Sequence, residues 1–198
     1  MNSQETGSIK FICNWIQSEP VDVETIIEIN RWRSILHKHQ MIGVYPNGIG
    51  YGNISIRLNH KEFLISGTST GHLETLTNQH YSKVISYNFS ENTLACIGPV
   101  KASAESLTHA AVYEMDPGIN AIIHVHNKQI WDELIHKAPT TSIDVEYGTP
   151  QMALEIKSLF KTTDVLDKKL LVMGGHEEGI ITFGKDLEDA GALILNCL

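Results

Sequence analysis

His124 and His126 stand one residue apart in the stretch NAIIHVHN, Asn120–Asn127, which otherwise suits a buried β-strand. Side chains alternate faces along a strand, so both imidazoles project to the same side and converge on one point. Such a pair has two uses: holding a metal ion, or hydrogen bonding inside a core. Further ligands decide between them. Glu105 lies in SAESLTHAAVYEMDPG, a helical pattern that starts near Ser103 and turns back through Asp116–Gly118 into the histidine strand. A helix and a strand joined that tightly pack together, which brings Glu105 toward the histidines. His176, in GGHEEG, has two glycines before it and one after, the mark of a tight turn presenting the ring. Three neutral imidazoles and one carboxylate make a four-ligand set that zinc accepts. Manganese, iron, cobalt and nickel are the alternatives.

The elements that must position these groups read as an α/β mixture. Helical patterns are expected near Ile9–Gln17 and Val23–Gln40, the second with Ile26, Ile29, Ile35 and Leu36 on one stripe and Gly43 as its end. Its basic cluster, Arg31 to His39, reads as a solvated face. Asn53–Leu58 and Glu62–Ser66 form one expected hairpin, and Lys83–Ser90 with Thr93–Gly98 another. After the histidine strand come a short helix around Ile130–His136 and a strand near Ser142–Glu146. A helix then opens with Thr149 as N-cap and Pro150 at its first position. Strands at Lys169–Met173 and Gly179–Gly184 enclose GGHEE, and a last helix starts at Asp186. Hairpins outnumber strand–helix alternations, so the expected sheet is mixed and largely antiparallel, with helices on its faces.

The whole chain narrows the function classes. It has 198 residues, enough for one sizeable domain, which we place over residues 9–198 after a disordered segment 1–8. Fifteen basic residues against 23 acidic give a net charge of −8, and no basic stripe relieves it, so nucleic acid is not an expected partner. No apolar run approaches membrane-spanning length, and the N-terminus lacks a secretory pattern. Cys13, Cys96 and Cys197, odd in number and in no pairing motif, read as buried free thiols of a reducing compartment, the cytosol.

GYGNISIR, LISGTSTG, the block Lys101–Asn127 and GGHEEGIITFG occur in the order seen in the class II aldolase/adducin family, which the chain resembles from about residue 24 to 195. The resemblance implies a three-layer α/β/α domain around a mostly antiparallel mixed sheet, assembled as a homotetramer with active sites at subunit interfaces. It makes Glu105, His124, His126 and His176 the metal ligands, the set the spacing had reached. It also makes Glu105 the group that moves protons, and Asn53 with the loop Gly67, Thr68, Ser69, Thr70 and Gly71 the phosphate-binding elements. Glycines let backbone approach an anion and hydroxyls donate to it, although GTSTG alone suits a plain surface turn equally well. Ser103 serves either as N-cap or as an anion ligand.

Three departures narrow the expectation. Ala104 stands where phosphate-binding aldolases of the family commonly have a second serine. The short segment between His126 and EYGTPQ offers no match for the catalytic tyrosine of the fuculose-phosphate aldolase type, Tyr147 aligning better with a structural position. A closing C-terminal tail is not expected beyond Leu198. The implied activity is metal-dependent lysis or isomerisation of a small hydroxy-carbonyl compound through an enediolate, by aldol cleavage, epimerisation or sugar-phosphate dehydration. A non-catalytic adducin-like scaffold is the alternative, but it needs none of the four ligands. His109 and Tyr113, on the helix face of Glu105, are expected to pack or to support the ligands, and Trp15, Trp32 and Trp131 to lie in the core or in subunit contacts.

Overall fold

The computed structural model describes residues 8–198; the proposed disorder of the first residues therefore lies almost wholly outside it. Ten strands and six α-helices alternate as β1 (Ile12–Gln17), α1 (Val23–Lys38), β2 (Gly43–Val44), β3 (Gly50–Tyr51), β4 (Asn53–Arg57), β5 (Phe63–Ser66), β6 (Tyr81–Asn88), β7 (Thr93–Gly98), α2 (Ser106–Tyr113) and β8 (Ala121–His126). They continue as α3 (Lys128–Leu134), α4 (Pro150–Thr162), α5 (Val165–Lys168), β9 (Leu170–Val172), β10 (Gly179–Gly184) and α6 (Leu187–Leu195).

Eight strands form one sheet in the order β1-β7-β6-β5-β4-β8-β10-β9, while β2 and β3 pair as a separate small hairpin. Every neighbouring pair in the large sheet is antiparallel except β1 with β7. Alternation along β8 divides its side chains between two buried clusters. Ala121, Ile123 and Val125 face the layer of α1, α3 and α6, while Ile122 faces that of α2 and α4. The histidines share the parity of Ile122, so they face α2. The result is the mixed α/β sheet with helices on both faces that the patterns implied.

Local chemistry sets the element ends. Asn127 accepts from Ile130 N at 3.0 Å and so starts α3 directly after His126. Thr149 caps α4 from Met152 N at 3.3 Å, with Pro150 at the first helical position, as its sequence indicated. Asp186 caps α6 through Asp189 N at 2.7 Å.

Several expectations are corrected. The segment expected as a helix near Ile9–Gln17 is the edge strand β1, because ICNWIQ alternates partly buried Cys13 and Trp15 with exposed neighbours and is rich in residues that favour pleated surfaces. Ser142–Glu146 is not a strand; only Thr140 bridges β9, and the following segment closes over Gly174 and Gly175. The helices α1 and α3 end at Lys38 and Leu134, short of Gln40 and His136, and the turn elements β2, β3 and α5 had no clear signature. Arg33 is not on a solvated face: it is 1% exposed and donates to the carbonyls of Thr70, Gly71, Leu73 and Glu74. Trp32 and Trp131 are core residues, and Trp15 is half-buried with Nε1 donating to Gly98 O at 2.9 Å. Cys13 and Cys96, far apart in sequence, sit on adjacent strands with their sulfurs 3.8 Å apart.

Candidate metal centre and its cavity

β8 lies between β4 and β10, and its register places His124 opposite Asn53 on one side and Ile181 on the other, with His126 opposite Gly179. The turn 174–178 carries His176 back over this point. A Cβ on Gly174 would meet Thr141 O at 2.2 Å and one on Gly175 Val145 O at 2.2 Å, so the GG pair is required by close backbone approach. The three Nε2 atoms meet: His126 to His124 at 3.2 Å and His126 to His176 at 2.9 Å. Glu105, the residue preceding the first turn of α2, brings Oε1 to 3.5 Å from His176 Nε2 and 3.9 Å from His124 Nε2. All four residues are buried.

The donor set fits a metal ion. Two nitrogens each about 2.0–2.1 Å from one tetrahedral ion lie about 3.3 Å apart, close to the separations here. Hydrogen bonding at the rear of two rings turns their lone pairs inward. His124 Nδ1 donates to Ile180 O at 3.2 Å, which leaves Nε2 as the unprotonated nitrogen. His126 Nδ1 lies 2.9 Å from the hydroxyl of Tyr45, which itself donates to the Glu178 carboxylate. Burial, which penalises the charged ring, and then the neighbouring His176 hold the pKa values of His124 and His126 well below the ordinary histidine range. Both rings are therefore neutral at pH 7, as ligation requires.

The histidines and Glu105 form one wall of a cavity of about 220 Å³. Asn53, the loop from Gly67 to Gly71 and Ser103 line the same cavity, so the structure brings all the sequence-selected residues together. Their hydrogen bonds differ. Asn53 is buried with Oδ1 lacking a hydrogen-bond partner among the described residues, a polar atom left for a ligand. Thr70 Oγ1 donates to Gly67 O at 2.8 Å and so closes the loop. Ser69 is exposed in the left-handed region at φ 60°, and Thr68 N is engaged with Lys101 O at 3.0 Å, tying the loop to the chain just before Glu105. A Cβ on Gly71 would lie 2.1 Å from Gly43 O, so this loop packs against the β2–β3 hairpin. Ser103 Oγ accepts from Glu105 N at 3.3 Å in the turn before α2; it is not the N-cap expected of it, because the helix begins at Ser106 and Glu105 holds the cap position. No lysine or arginine is among the described lining residues; backbone amides and hydroxyls are the anion donors there.

Some neighbours had little or no sequence signal. Tyr45 and Tyr51, on the β2–β3 hairpin, line the cavity with ring centroids 4.4 Å apart. Tyr147 lines it too, its ring tilted by 46° against that of His176 at 4.5 Å between centroids, a contact its proximity to a helix start did not reveal. On the Glu105 helix, His109 Nδ1 and Tyr113 OH meet Ser55 Oγ at 2.7 and 2.8 Å, so both pack α2 against β4.

Residues 47–197 match the family model for the class II aldolase and adducin N-terminal domain. The chain belongs to the class II aldolase/adducin family. Its fold is shared with YgbL of Escherichia coli at a TM-score of 0.64 and 17% identity, covering 87% of this chain and 84% of that one. An L-fuculose 1-phosphate aldolase matches at 0.64 and 14% identity, covering 91% and 85% of the two chains. The N-terminal class II aldolase domain of a Thermoplasma acidophilum protein matches at 0.60 and 13%, covering 91% and 93%. Class II aldolases use a divalent metal, and the buried three-histidine group of this family member is suited to hold one. Among the described residues no helix is long and apolar enough to cross a membrane.

Proposed function

We propose that the chain is a metal-dependent lyase or isomerase of the aldolase type, acting on a small hydroxy-carbonyl compound, phosphorylated or free, through a metal-stabilised enediolate. The observation that carries this reading is the convergence of three histidine Nε2 atoms and the Glu105 carboxylate on one wall of a polar cavity. A divalent ion, zinc in the first instance, held by Glu105, His124, His126 and His176 supplies Lewis-acid stabilisation to negative charge developing on substrate oxygens. Glu105 takes a proton from the substrate and returns it, since its carboxylate faces the cavity beside the three rings. Asn53, the loop Gly67–Gly71 and Ser103 hold the far end of the substrate through amide and hydroxyl groups. Burial of the centre keeps bulk water from the reacting atoms.

Support for aldolase chemistry includes the likeness to an L-fuculose 1-phosphate aldolase and to YgbL, itself a candidate aldolase/epimerase/decarboxylase. The lack of a cationic side chain in the described lining, together with Ala104, favours a substrate whose anion is held weakly, or one with no phosphate. Cytoplasmic location and a homotetramer with the cavity at subunit interfaces complete the proposal; sedimentation of the purified chain tests the assembly.

The deciding experiment is metal analysis followed by a screen of phosphorylated and free ketoses and hydroxy-aldehydes, scored for aldehyde release, epimer formation and loss of water. About one ion per chain is expected, with His124→Ala lowering that content and Glu105→Gln lowering turnover by about 10²–10⁴-fold in a folded protein. Turnover surviving Glu105→Gln removes its proton-transfer role. Unchanged metal content in His124→Ala sinks the ligand set, and a chain with neither metal nor turnover is the adducin-like scaffold.

A further inference from the structure

The β2–β3 hairpin brings a tyrosine to the rear of one ligand. Tyr45 is followed by Pro46, Asn47 and Gly48, and its backbone N donates to Ile49 O at 2.8 Å, so the phenol stands at the base of a tight turn. Its ring is held against Tyr51, whose own ring lies 5.5 Å from that of His126. The Tyr45 hydroxyl touches His126 Nδ1 at 2.9 Å and the Glu178 carboxylate.

Proton counting gives this trio a direction. A carboxylate only accepts and a phenol has one proton, so Tyr45 O–H is spent on Glu178. The phenol oxygen is then an acceptor, and His126 must donate to it from Nδ1. Nε2 of His126 is left bare and facing His124 and His176. Glu178 is 3.9 Å from His126 Nδ1, too far for a direct hydrogen bond, so the carboxylate acts through the phenol. A second feature points the same way: Glu178 has φ of 69°, a left-handed conformation that side chains other than glycine, asparagine and aspartate rarely adopt. Its backbone O accepts from Asn127 N at 3.0 Å, which locks the residue beside the end of β8.

We infer that Tyr45 and Glu178 are positioning residues that fix the tautomer and orientation of His126, and through it the strength of the metal centre. The inference rests on the metal reading of the three histidines, but Tyr45 precedes the residues matched by the family model and its contact with Glu178 joins positions 133 apart. Partners behind a ligating histidine commonly set metal affinity by 10–100-fold.

Two measurements on the full chain test it. In metal-free protein, long-range ¹H–¹⁵N spectra of the histidine rings should show His126 protonated at Nδ1, and Tyr45→Phe should shift it toward the Nε2–H form. In zinc competition against a chromophoric chelator, Tyr45→Phe should bind about 10–100-fold more weakly than the parent. Glu178→Gln should lose less, because an amide oxygen still accepts from the phenol. The double variant should be no weaker than Tyr45→Phe alone, since the two act in series. A parent His126 protonated at Nε2, unchanged zinc affinity in Tyr45→Phe, or losses that add in the double variant would each overturn the inference. If Tyr45→Phe does not fold, Glu178→Leu, which removes the acceptor and frees the phenol proton to turn toward His126 Nδ1, takes its place, an unchanged spectrum and affinity counting against the relay. Failure of the parent chain to bind zinc overturns the metal reading instead, and the His126 spectrum still judges the Tyr45 contact.

Discussion

Gly179 leaves the space that His176 fills: a Cβ on Gly179 would lie 2.7 Å from His176 Cδ2, and 3.2 Å from His124 Cε1. Two rings from distant segments thus share the room made by one missing methyl group. The glycine is opposite His126 in the β8–β10 ladder, so the backbone cannot retreat without breaking the register.

Gly179→Ala therefore should push His176 away from the other two rings. We expect zinc affinity to fall at least tenfold, with a stability loss of about 1–3 kcal/mol from overpacking. Competition titration and thermal melting measure the two effects separately. Parent-like affinity would show that the centre tolerates a displaced His176.

Arg33 supports the cavity from beneath. Its guanidinium carries donors to Thr70 O at 3.1 Å, Gly71 O at 3.3 Å and Glu74 O at 2.8 Å, and to Leu73 O. Burial lowers its pKa below the usual arginine range, yet the group remains the charged donor to these carbonyls at neutral pH. Arg33→Met keeps much of the length and removes every donor. It should cost about 3 kcal/mol in chemical unfolding, with hydrogen exchange accelerating first at residues 70–74. Equal exchange there in both proteins would mean that the loop holds itself.

His109 makes stability pH-dependent. It is fully buried, and desolvation pushes its pKa down to about 3. The unfolded ring takes a proton near pH 6.5 while the folded one does not, so its contribution to stability falls as pH drops below 6.5 and levels off near 3. The slope contributed is about 1.4 kcal/mol per pH unit. Chelated His109→Gln protein should accordingly show a shallower loss of stability between pH 6 and 4 than the parent. Parallel curves would mean that His109 gains its proton in the folded state.

The chemistry of the centre was legible because it obeys simple periods. Two histidines at i and i+2 on a strand share a face whatever surrounds them, and glycines around His176 announce a turn. Glu105 followed from the short Asp116–Gly118 reversal between α2 and β8. The hairpins β4–β5 and β6–β7 were legible for the same local reasons. What escaped depends on distant partners. Tyr45 gains meaning only from Glu178, and Arg33 only from the carbonyls of a loop some forty positions on, roughly the spacing at which no periodic pattern survives. The first strand was misread because its alternation is half-hearted: Ile12 and Ile16 are apolar yet exposed at 63% and 55%, so apolar residues fall on both faces.

That strand also has a consequence for how the chain folds. β1 is the sheet's one parallel addition, matched from Ile12↔Thr93 to Gln17↔Gly98. It is synthesised well before the strand that receives it, and it offers apolar side chains on an open edge until β6 and β7 have formed their hairpin. Docking of β1 therefore closes a loop of about eighty residues onto the β6–β7 hairpin, and its six-position ladder to β7 is the contact that ties this segment into the sheet.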